Sequence, residues 1–278
     1  MARLQAIKRL SESVYRLTVA APEIAAKHQP GQFIVLRIDA AGERIPLTIA
    51  DKNTDAGTID LIVQAVGKTT RQLVDLPAGA DILDLAGPLG LPTQITKLGT
   101  VVMIGGGVGA APLYPIARGF QQIGNKVITI LGARNKDLLI LPAEFAELSD
   151  ELILMTDDGS LGEKGLVTHA LQKLIDQKIE IKKVVAIGPL IMMKFVTELA
   201  GKYGIPTVVS LNSLMIDGTG MCGGCRVRVG GETKFTCVHG PEFDGQQVDF
   251  DTLLKRANIY KHEEQCRLEA YLKRGGHG

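Results

Sequence analysis

Three of the four cysteines stand close together in the sequence, at Cys222, Cys225 and Cys237. In a reducing compartment such a group holds a metal more often than it forms disulfides. The plant-type ferredoxin pattern is Cys-x4-Cys-x2-Cys with one distant Cys, and Cys222 and Cys225 fit its x2 step. Asp217 stands where the first Cys is expected, and its carboxylate carries the same formal charge as a thiolate. The spacing therefore predicts a [2Fe–2S] cluster bound by Asp217, Cys222, Cys225 and Cys237.

Zinc is the competing metal for this segment. Cys222, Cys225, Cys237 and His239 are potential zinc ligands, although one residue between Cys237 and His239 is a shorter spacing than zinc sites use. The small residues around the cysteines favour a loop wrapped on an iron–sulfur cluster, whose sulfides accept hydrogen bonds from backbone N–H groups. The fourth cysteine, Cys266, lies apart in the charged tail and needs no function.

A glycine-rich turn indicates a nucleotide site. Residues 105–112 follow the apolar run 101–104 and open a helical pattern. Glycine lets the backbone approach a pyrophosphate closely, and a helix N-terminus offers free N–H groups and positive dipole charge. A tight strand–helix turn also needs glycine, so the motif gains weight from the parallel-sheet pattern that follows it. The predicted contacts are Gly105, Gly106, Gly107, Val108, Gly109 and Pro112.

Two later strand ends point to the same crevice, because ligands of open α/β sheets bind outside the carboxyl ends of the strands. Carboxylates at Asp157 and Asp158 would accept hydrogen bonds from a ribose 2′-hydroxyl and repel a 2′-phosphate, which predicts NAD(H) over NADP(H). A turn with an Asx hydrogen bond is the alternative for either Asp, and helix packing is the alternative for Met192. The predicted contacts at these strand ends are Thr156, Asp157, Asp158, Gly188, Pro189 and Met192.

The elements that must position these residues follow from two rhythms in the sequence. Short strands punctuated by Gly and Pro over residues 1–96 predict an antiparallel β-barrel or sandwich. Apolar strands alternating with helical patterns over 97–208 predict a Rossmann-like parallel sheet with both faces covered. Residues 209–250 form a small Gly- and Cys-rich segment, and 251–278 form a charged tail that is helical in pattern.

Composition restricts the function classes. The chain has 278 residues, 45% of them hydrophobic, and 31 basic residues nearly balance 30 acidic ones. The net charge of +1 gives no sign of a nucleic-acid or membrane-surface partner. The start lacks the apolar region of a secretory signal, and the longest apolar stretch is broken by glycine and proline. We expect a cytoplasmic protein.

Five motifs together resemble the ferredoxin–NADP reductase superfamily, over residues 1 to 250. They are residues 44–48, 67–70, 105–112, 156–160 and the Cys-rich loop. The resemblance is to the branch of the iron–sulfur electron-transfer subunit of dihydroorotate dehydrogenase. Within that branch it is greatest to the small subunits of NADH-dependent reduced ferredoxin:NADP oxidoreductases, also called sulfide dehydrogenase β-type. That subgroup accepts Asp at the first cluster-ligand position, so Asp217 favours it.

The resemblance implies that the N-terminal barrel holds FAD, with the Thr48 hydroxyl facing the flavin ring. The family's flavin motif has its Arg at the position of Ile45, and this chain has Arg44 one place earlier. Thr69 and Thr70 would contact FAD phosphates, and a simple helix N-cap is the alternative for them. The implied FAD contacts are Arg44, Pro46, Leu47, Thr48, Ile62, Val63, Gln64, Gly67, Thr69 and Thr70.

The function implied is an oxidoreductase subunit that moves electrons between NAD(H), FAD and the cluster. Its implied partner is a larger flavoprotein with a second FAD and [4Fe–4S] clusters, through which ferredoxin and NADP(H) react in flavin-based electron bifurcation. The alternatives are the electron-transfer subunit of an NAD-dependent dihydroorotate dehydrogenase and a flavin-free zinc protein. No acid–base residue is predicted, because cofactors supply the chemistry and the histidines at 169, 239 and 262 are isolated.

Overall fold

The N-terminal part of the chain forms a seven-stranded antiparallel sheet in the computed structural model, which describes residues 2–273. Alternation along the strands explains the sheet: in β2, Leu17 and Val19 are buried inside it with the more exposed Thr18 between them, whereas Val14 faces the other way and packs against the central domain. The strand order is β6-β1-β2-β5-β4-β3-β7. The two edge strands are separated in the chain only by Leu83, so the sheet nearly closes into a barrel. Its elements are β1 (Ala2–Arg9), β2 (Val14–Ala20), α1 (Pro22–Lys27), β3 (Phe33–Arg37), β4 (Ile45–Asn53), β5 (Thr58–Gln64), α2 (Lys68–Val74), β6 (Asp81–Ile82) and β7 (Asp84–Leu89).

The central part forms a second sheet, in which six strands run parallel and are covered by helices. Val101, Val102, Met103 and Ile104 are completely buried, because consecutive side chains of a strand face opposite helix layers. The elements are β8 (Thr100–Gly106), α3 (Ala110–Gln122), β9 (Lys126–Ala133), α4 (Pro142–Leu148), β10 (Glu151–Thr156), β11 (Glu163–Lys164), α5 (Val167–Asp176), β12 (Ile181–Ile187), α6 (Leu190–Lys202) and β13 (Thr207–Ser210).

The C-terminal part begins with the cysteine-containing loop and continues in a small hairpin and helices. Strand β16 pairs antiparallel with β13, so the loop is anchored at both ends to the edge of the parallel sheet. Helices α8 and α9 occupy the predicted tail up to residue 273, and residues 274–278 of that prediction lie outside the described residues. The elements are β14 (Arg226–Val229), β15 (Glu232–Phe235), α7 (Thr236–His239), β16 (Glu242–Asp244), α8 (Phe250–Ala257) and α9 (Lys261–Lys273).

This architecture confirms the predicted fold class of a barrel, a Rossmann-like sheet and a small C-terminal part. Between residues 2 and 273, none of the helices combines the length and the apolar character needed to cross a bilayer.

Candidate functional site

One large cavity of about 930 Å³ lies where the barrel meets the carboxyl ends of the parallel strands. Strands β4 and β5 supply one wall, and the turns after β8, β9, β10 and β12 supply the other. Most of the residues predicted from the sequence to contact a cofactor line it. These are Pro46, Leu47, Thr48, Ile62, Val63, Gln64, Thr70, Gly106, Gly107, Val108, Gly109, Pro112, Asp157, Gly188, Pro189 and Met192.

The glycine-rich turn is a single 3₁₀ turn, Gly107–Gly109, between β8 and α3. Gly107 has a φ of +53° in the left-handed region, and a Cβ there would meet no atom within 4 Å. Its backbone therefore faces open space in the cavity. Gly109 differs, because a Cβ there would stand 2.7 Å from the carbonyl carbon of Ile187. One glycine thus opens the cavity, and the other lets the turn pack against β12.

Two charged side chains line the cavity, Arg134 and Asp157. They directly follow neighbouring parallel strands, since Ala133 of β9 pairs with Thr156 of β10. Neither side chain forms a hydrogen bond or ion pair with another described residue. A cation and a carboxylate at adjacent strand ends can bind a pyrophosphate and ribose hydroxyls. Sequence reasoning missed Arg134, although the strand-end rule that selected Asp157 applies equally to β9.

The barrel wall presents the side chains of Thr48 and Thr70 to the cavity. Thr48 pairs with Phe33 in the β3–β4 ladder, and its hydroxyl has no hydrogen bond to the described residues. Thr70 stands at the start of α2, where its hydroxyl accepts from the backbone N–H groups of Val66 (3.2 Å) and Gly67 (3.0 Å). Thr70 therefore stabilises the start of α2, as the helix N-cap alternative predicted, and it also lines the cavity.

Six of the predicted contact residues do not line the cavity: Arg44, Gly67, Thr69, Gly105, Thr156 and Asp158. Arg44 lies 3.9 Å from the Asp84 carboxylate. Asp158 accepts hydrogen bonds from the N–H (2.9 Å) and the hydroxyl (2.7 Å) of Ser160, and these bonds lower its pKa below the ordinary value. Its carboxylate therefore closes an Asx turn.

The four predicted cluster ligands fall into two pairs. The Sγ atoms of Cys225 and Cys237 are 3.2 Å apart, and both residues are buried. Asp217 and Cys222 lie on the loop before them, where the Asp217 carboxylate accepts from the Cys222 N–H at 2.9 Å. Two pairs of anionic ligands suit a cluster with two irons better than one ion. In the described ranges, no three His, Cys, Asp or Glu side chains are already grouped closely enough to hold a metal ion.

The pKa values of Cys237, in the buried pair, and Asp217, on the loop, are shifted in opposite directions. Burial and the adjacent Cys225 thiol raise the pKa of Cys237 to about 12, so the metal-free Cys237 thiol stays protonated at neutral pH. Hydrogen bonds from the backbone of Thr219 and Cys222 lower the pKa of Asp217, which stays ionised. Cation binding would displace the thiol protons of the buried pair. The donor set therefore fits an iron–sulfur cluster.

His239, the fourth ligand of the zinc alternative, is engaged elsewhere. Its Nδ1 accepts a hydrogen bond from the Phe235 N–H at 2.9 Å, and its ring stacks on Phe235 with a centroid distance of 5.8 Å. These contacts hold the His239 ring on the turn of α7 with its Nδ1 occupied, which favours an iron–sulfur cluster over a zinc ion that uses His239 as a ligand.

Two apolar side chains connect the cavity to the buried cysteines. Phe33 and Met215 line the cavity and also pack in the buried cluster that contains Cys225 and Cys237. Neither was selected from the sequence. They place the cysteine pair directly behind one wall of the cavity, a position suited to electron transfer between two redox groups.

Three family models match successive parts of the chain. Residues 1–93 match the oxidoreductase FAD-binding domain, and residues 103–198 match the oxidoreductase NAD-binding domain. Residues 212–249 match the iron–sulfur cluster binding domain of dihydroorotate dehydrogenase B. The chain therefore carries FAD-binding, NAD-binding and iron–sulfur domains, as the sequence predicted.

Curated relatives are similar over almost the whole chain. An electron transfer subunit homolog of dihydroorotate dehydrogenase B (NAD⁺) from Thermotoga maritima is 49% identical over 96% of this chain and 94% of its own length. A probable electron transfer subunit of that enzyme from Methanocaldococcus jannaschii is 36% identical over 80% of this chain and 81% of its own.

Solved structures agree with this likeness. A chain from NADH-dependent reduced ferredoxin–NADP oxidoreductase, a structure described for flavin-based electron bifurcation, superposes with a TM-score of 0.92. It is 46% identical, and 98% of each chain is covered. Phthalate dioxygenase reductase, at 13% identity and a TM-score of 0.61 over 82% of this chain and 85% of its own, shares the fold.

Proposed function

This chain belongs to the family of the electron transfer subunits of dihydroorotate dehydrogenase B and their homologues, and from that membership we propose a specific role. It is an oxidoreductase subunit, and we propose that it is the small subunit of an electron-bifurcating NADH-dependent reduced ferredoxin:NADP oxidoreductase. The full-length likeness to a chain of that enzyme carries the proposal. Asp217 in place of a cysteine ligand supports it.

The residues of the cavity define what this chain contributes. When bound, FAD supplies hydride exchange with NAD(H), and a [2Fe–2S] cluster supplies single-electron transfer. The open backbone at Gly107 and the Arg134 guanidinium receive the dinucleotide phosphates. Asp157 accepts from the ribose hydroxyls and disfavours a 2′-phosphate, so NADH is preferred over NADPH. Thr48 offers its free hydroxyl to the flavin ring.

The cysteine pair defines the second contribution. Asp217, Cys222, Cys225 and Cys237 hold the cluster, while Phe33 and Met215 exclude water between the cavity and Cys225. A dry apolar contact keeps two redox groups at a fixed short separation. No side chain needs to move a proton for this task, and the proposal names no acid–base residue.

The proposed partner is a larger flavoprotein subunit carrying FAD and [4Fe–4S] clusters. Exposed apolar side chains surround the outer pair of cluster ligands: Leu214, Ile216 and Met221 are 47%, 51% and 88% exposed. Such a patch beside a redox centre is typical of a protein interface. We infer that the larger subunit covers this patch and exchanges electrons there.

Anaerobic co-purification of the native complex tests the role. We expect one larger flavoprotein to accompany this chain, and the complex to reduce NADP⁺ with NADH plus reduced ferredoxin. A complex that oxidises dihydroorotate with NAD⁺ would instead assign the second candidate, the electron transfer subunit of a dihydroorotate dehydrogenase, which the match of residues 212–249 favours. A colourless preparation without iron or flavin would refute both.

A further inference from the structure

Helix α9 lies against the barrel although none of its residues is buried. Its contacts are polar: Arg267 pairs with Glu43 of the barrel, and the Tyr271 hydroxyl donates to Asp75 at the end of α2. Apolar burial therefore does not explain why the helix docks at this place.

A second cavity, of about 370 Å³, opens between α9 and the barrel. Two cations, a carboxylate and a phenol ring line it, a set suited to a phosphorylated nucleoside. Half of the lining comes from α9. The lining residues are Ala41, Glu43, Lys68, Arg267, Ala270 and Tyr271.

The two cavities flank the first turn of α2. Thr70 lines the large cavity, and Lys68 lines the small one. Between them, the Thr69 hydroxyl donates to Glu43 at 2.9 Å. Consecutive helical residues rise by roughly 1.5 Å each, so Lys68 and Thr70 lie about 3 Å apart along the axis of α2.

The volume of the large cavity is typical of a site for one ligand. Pockets of roughly 300–1,000 Å³ hold one drug-sized ligand, and 930 Å³ is at the upper end of that range. FAD and NAD(H) are both dinucleotides. Resting on the FAD binding of the proposed function, we propose that the small cavity receives the adenosine end of FAD, so that α9 completes the FAD site.

The charges in the small cavity suit this occupant. Although burial raises the pKa of Glu43, hydrogen bonds from Thr69 and Arg267 lower it below its ordinary value, so the group is ionised. Its carboxylate is an acceptor for ribose hydroxyls, and Lys68 and Arg267 balance the pyrophosphate charge. The ring of Tyr271 offers an apolar face to adenine.

FMN lacks the adenosine end of FAD, so a comparison of the two flavins isolates the contact between that end and the small cavity. We would strip the full chain of flavin and measure FAD and FMN affinity by quenching of flavin fluorescence, without any turnover. Arg267→Gln is expected to weaken FAD binding about tenfold and FMN binding less than about twofold. Arg267→Lys should recover most of the FAD affinity.

Lys261→Gln is the matched control, because Lys261 lies on the same helix and its side chain forms no hydrogen bond or ion pair with the described residues. Equal losses for FAD and FMN would show that α9 only supports the barrel and would overturn the inference. Unchanged FAD affinity in Arg267→Gln would overturn it too, while leaving the proposed function intact. Only a wild-type chain that binds neither flavin would remove the proposed function as well.

Discussion

Two glycines of one motif allow a paired test of the nucleotide turn. Gly107→Ala adds a methyl group that meets no protein atom within 4 Å and projects into the cavity. Gly109→Ala adds the same group 2.7 Å from the Ile187 carbonyl carbon and 2.8 Å from the Gly188 Cα. The same chemical change is thus directed at a ligand in one case and at the protein in the other.

The expected magnitudes follow from these surroundings. At Gly107 the φ of +53° costs an alanine about 1 kcal/mol, which lowers Tm by roughly 2–4 °C. At Gly109 the backbone of β12 and the turn must separate, and overpacking of this kind costs about 3 kcal/mol or more. The loss of stability should therefore be larger at Gly109, and the loss of NADH binding at constant stability should be larger at Gly107.

Thermal unfolding and anaerobic NADH titration of the chain with its flavin already reduced measure the two effects separately. We expect Gly107→Ala to keep its flavin and unfold near the wild-type temperature while NADH binds at least about tenfold more weakly. Equal NADH affinity in Gly107→Ala and wild type would refute the assignment of this backbone to the dinucleotide. A Gly109→Ala chain as stable as wild type would refute the packing argument.

Four further outcomes are expected. Cys225→Ala should lose the visible absorption of the cluster and keep FAD, and a full cluster in this variant would contradict its ligand role. Asp217→Cys should keep a cluster with a shifted reduction potential, and a redox titration identical to wild type would exclude Asp217 as a ligand. Asp157→Ser should lower the ratio of NADH affinity to NADPH affinity, and an unchanged ratio would show that Asp157 does not contact the ribose. Burial lowers the pKa of His28 to about 4, so the native state resists a proton that the unfolded state takes up near pH 6.5. The free energy of unfolding should thus fall by up to about 3 kcal/mol from pH 7 to pH 4. His28→Leu should remove most of that fall, and an equally steep fall in this variant would contradict the assignment.

The sequence was informative wherever a local rule fixes the position of a residue. Glycine after a buried strand predicted the turn at Gly107, and acidic residues at the next strand end predicted Asp157 at the cavity. The same rule does not separate Asp157 from Asp158, because consecutive residues after a strand face different ways. The structure shows the difference, since Asp158 is satisfied by Ser160 while Asp157 faces the cavity.

Residues that act through long-range packing could not be found this way. Phe33 belongs to a barrel strand and Met215 to the cluster loop, and their contact with the same cysteines depends on the whole arrangement of domains. Apolar periodicity identifies both as buried and gives no partner for either. The position of α9 against the barrel is a similar case, because its charged sequence has no apolar face from which a packing partner could be predicted.

The place of the single carboxylate in the ligand set follows from burial. A carboxylate beside Phe33 and Met215 would lose its hydration, and its charged form would be disfavoured. At residue 217 the chain supplies two backbone N–H donors, from Thr219 and Cys222, on an exposed loop. Asp is therefore tolerated on the outer side of the cluster, next to the apolar patch we assign to the partner. Cys237→Asp should therefore abolish the visible absorption of the cluster, because the buried site cannot hydrate the new carboxylate, and a full cluster in this variant would contradict the argument.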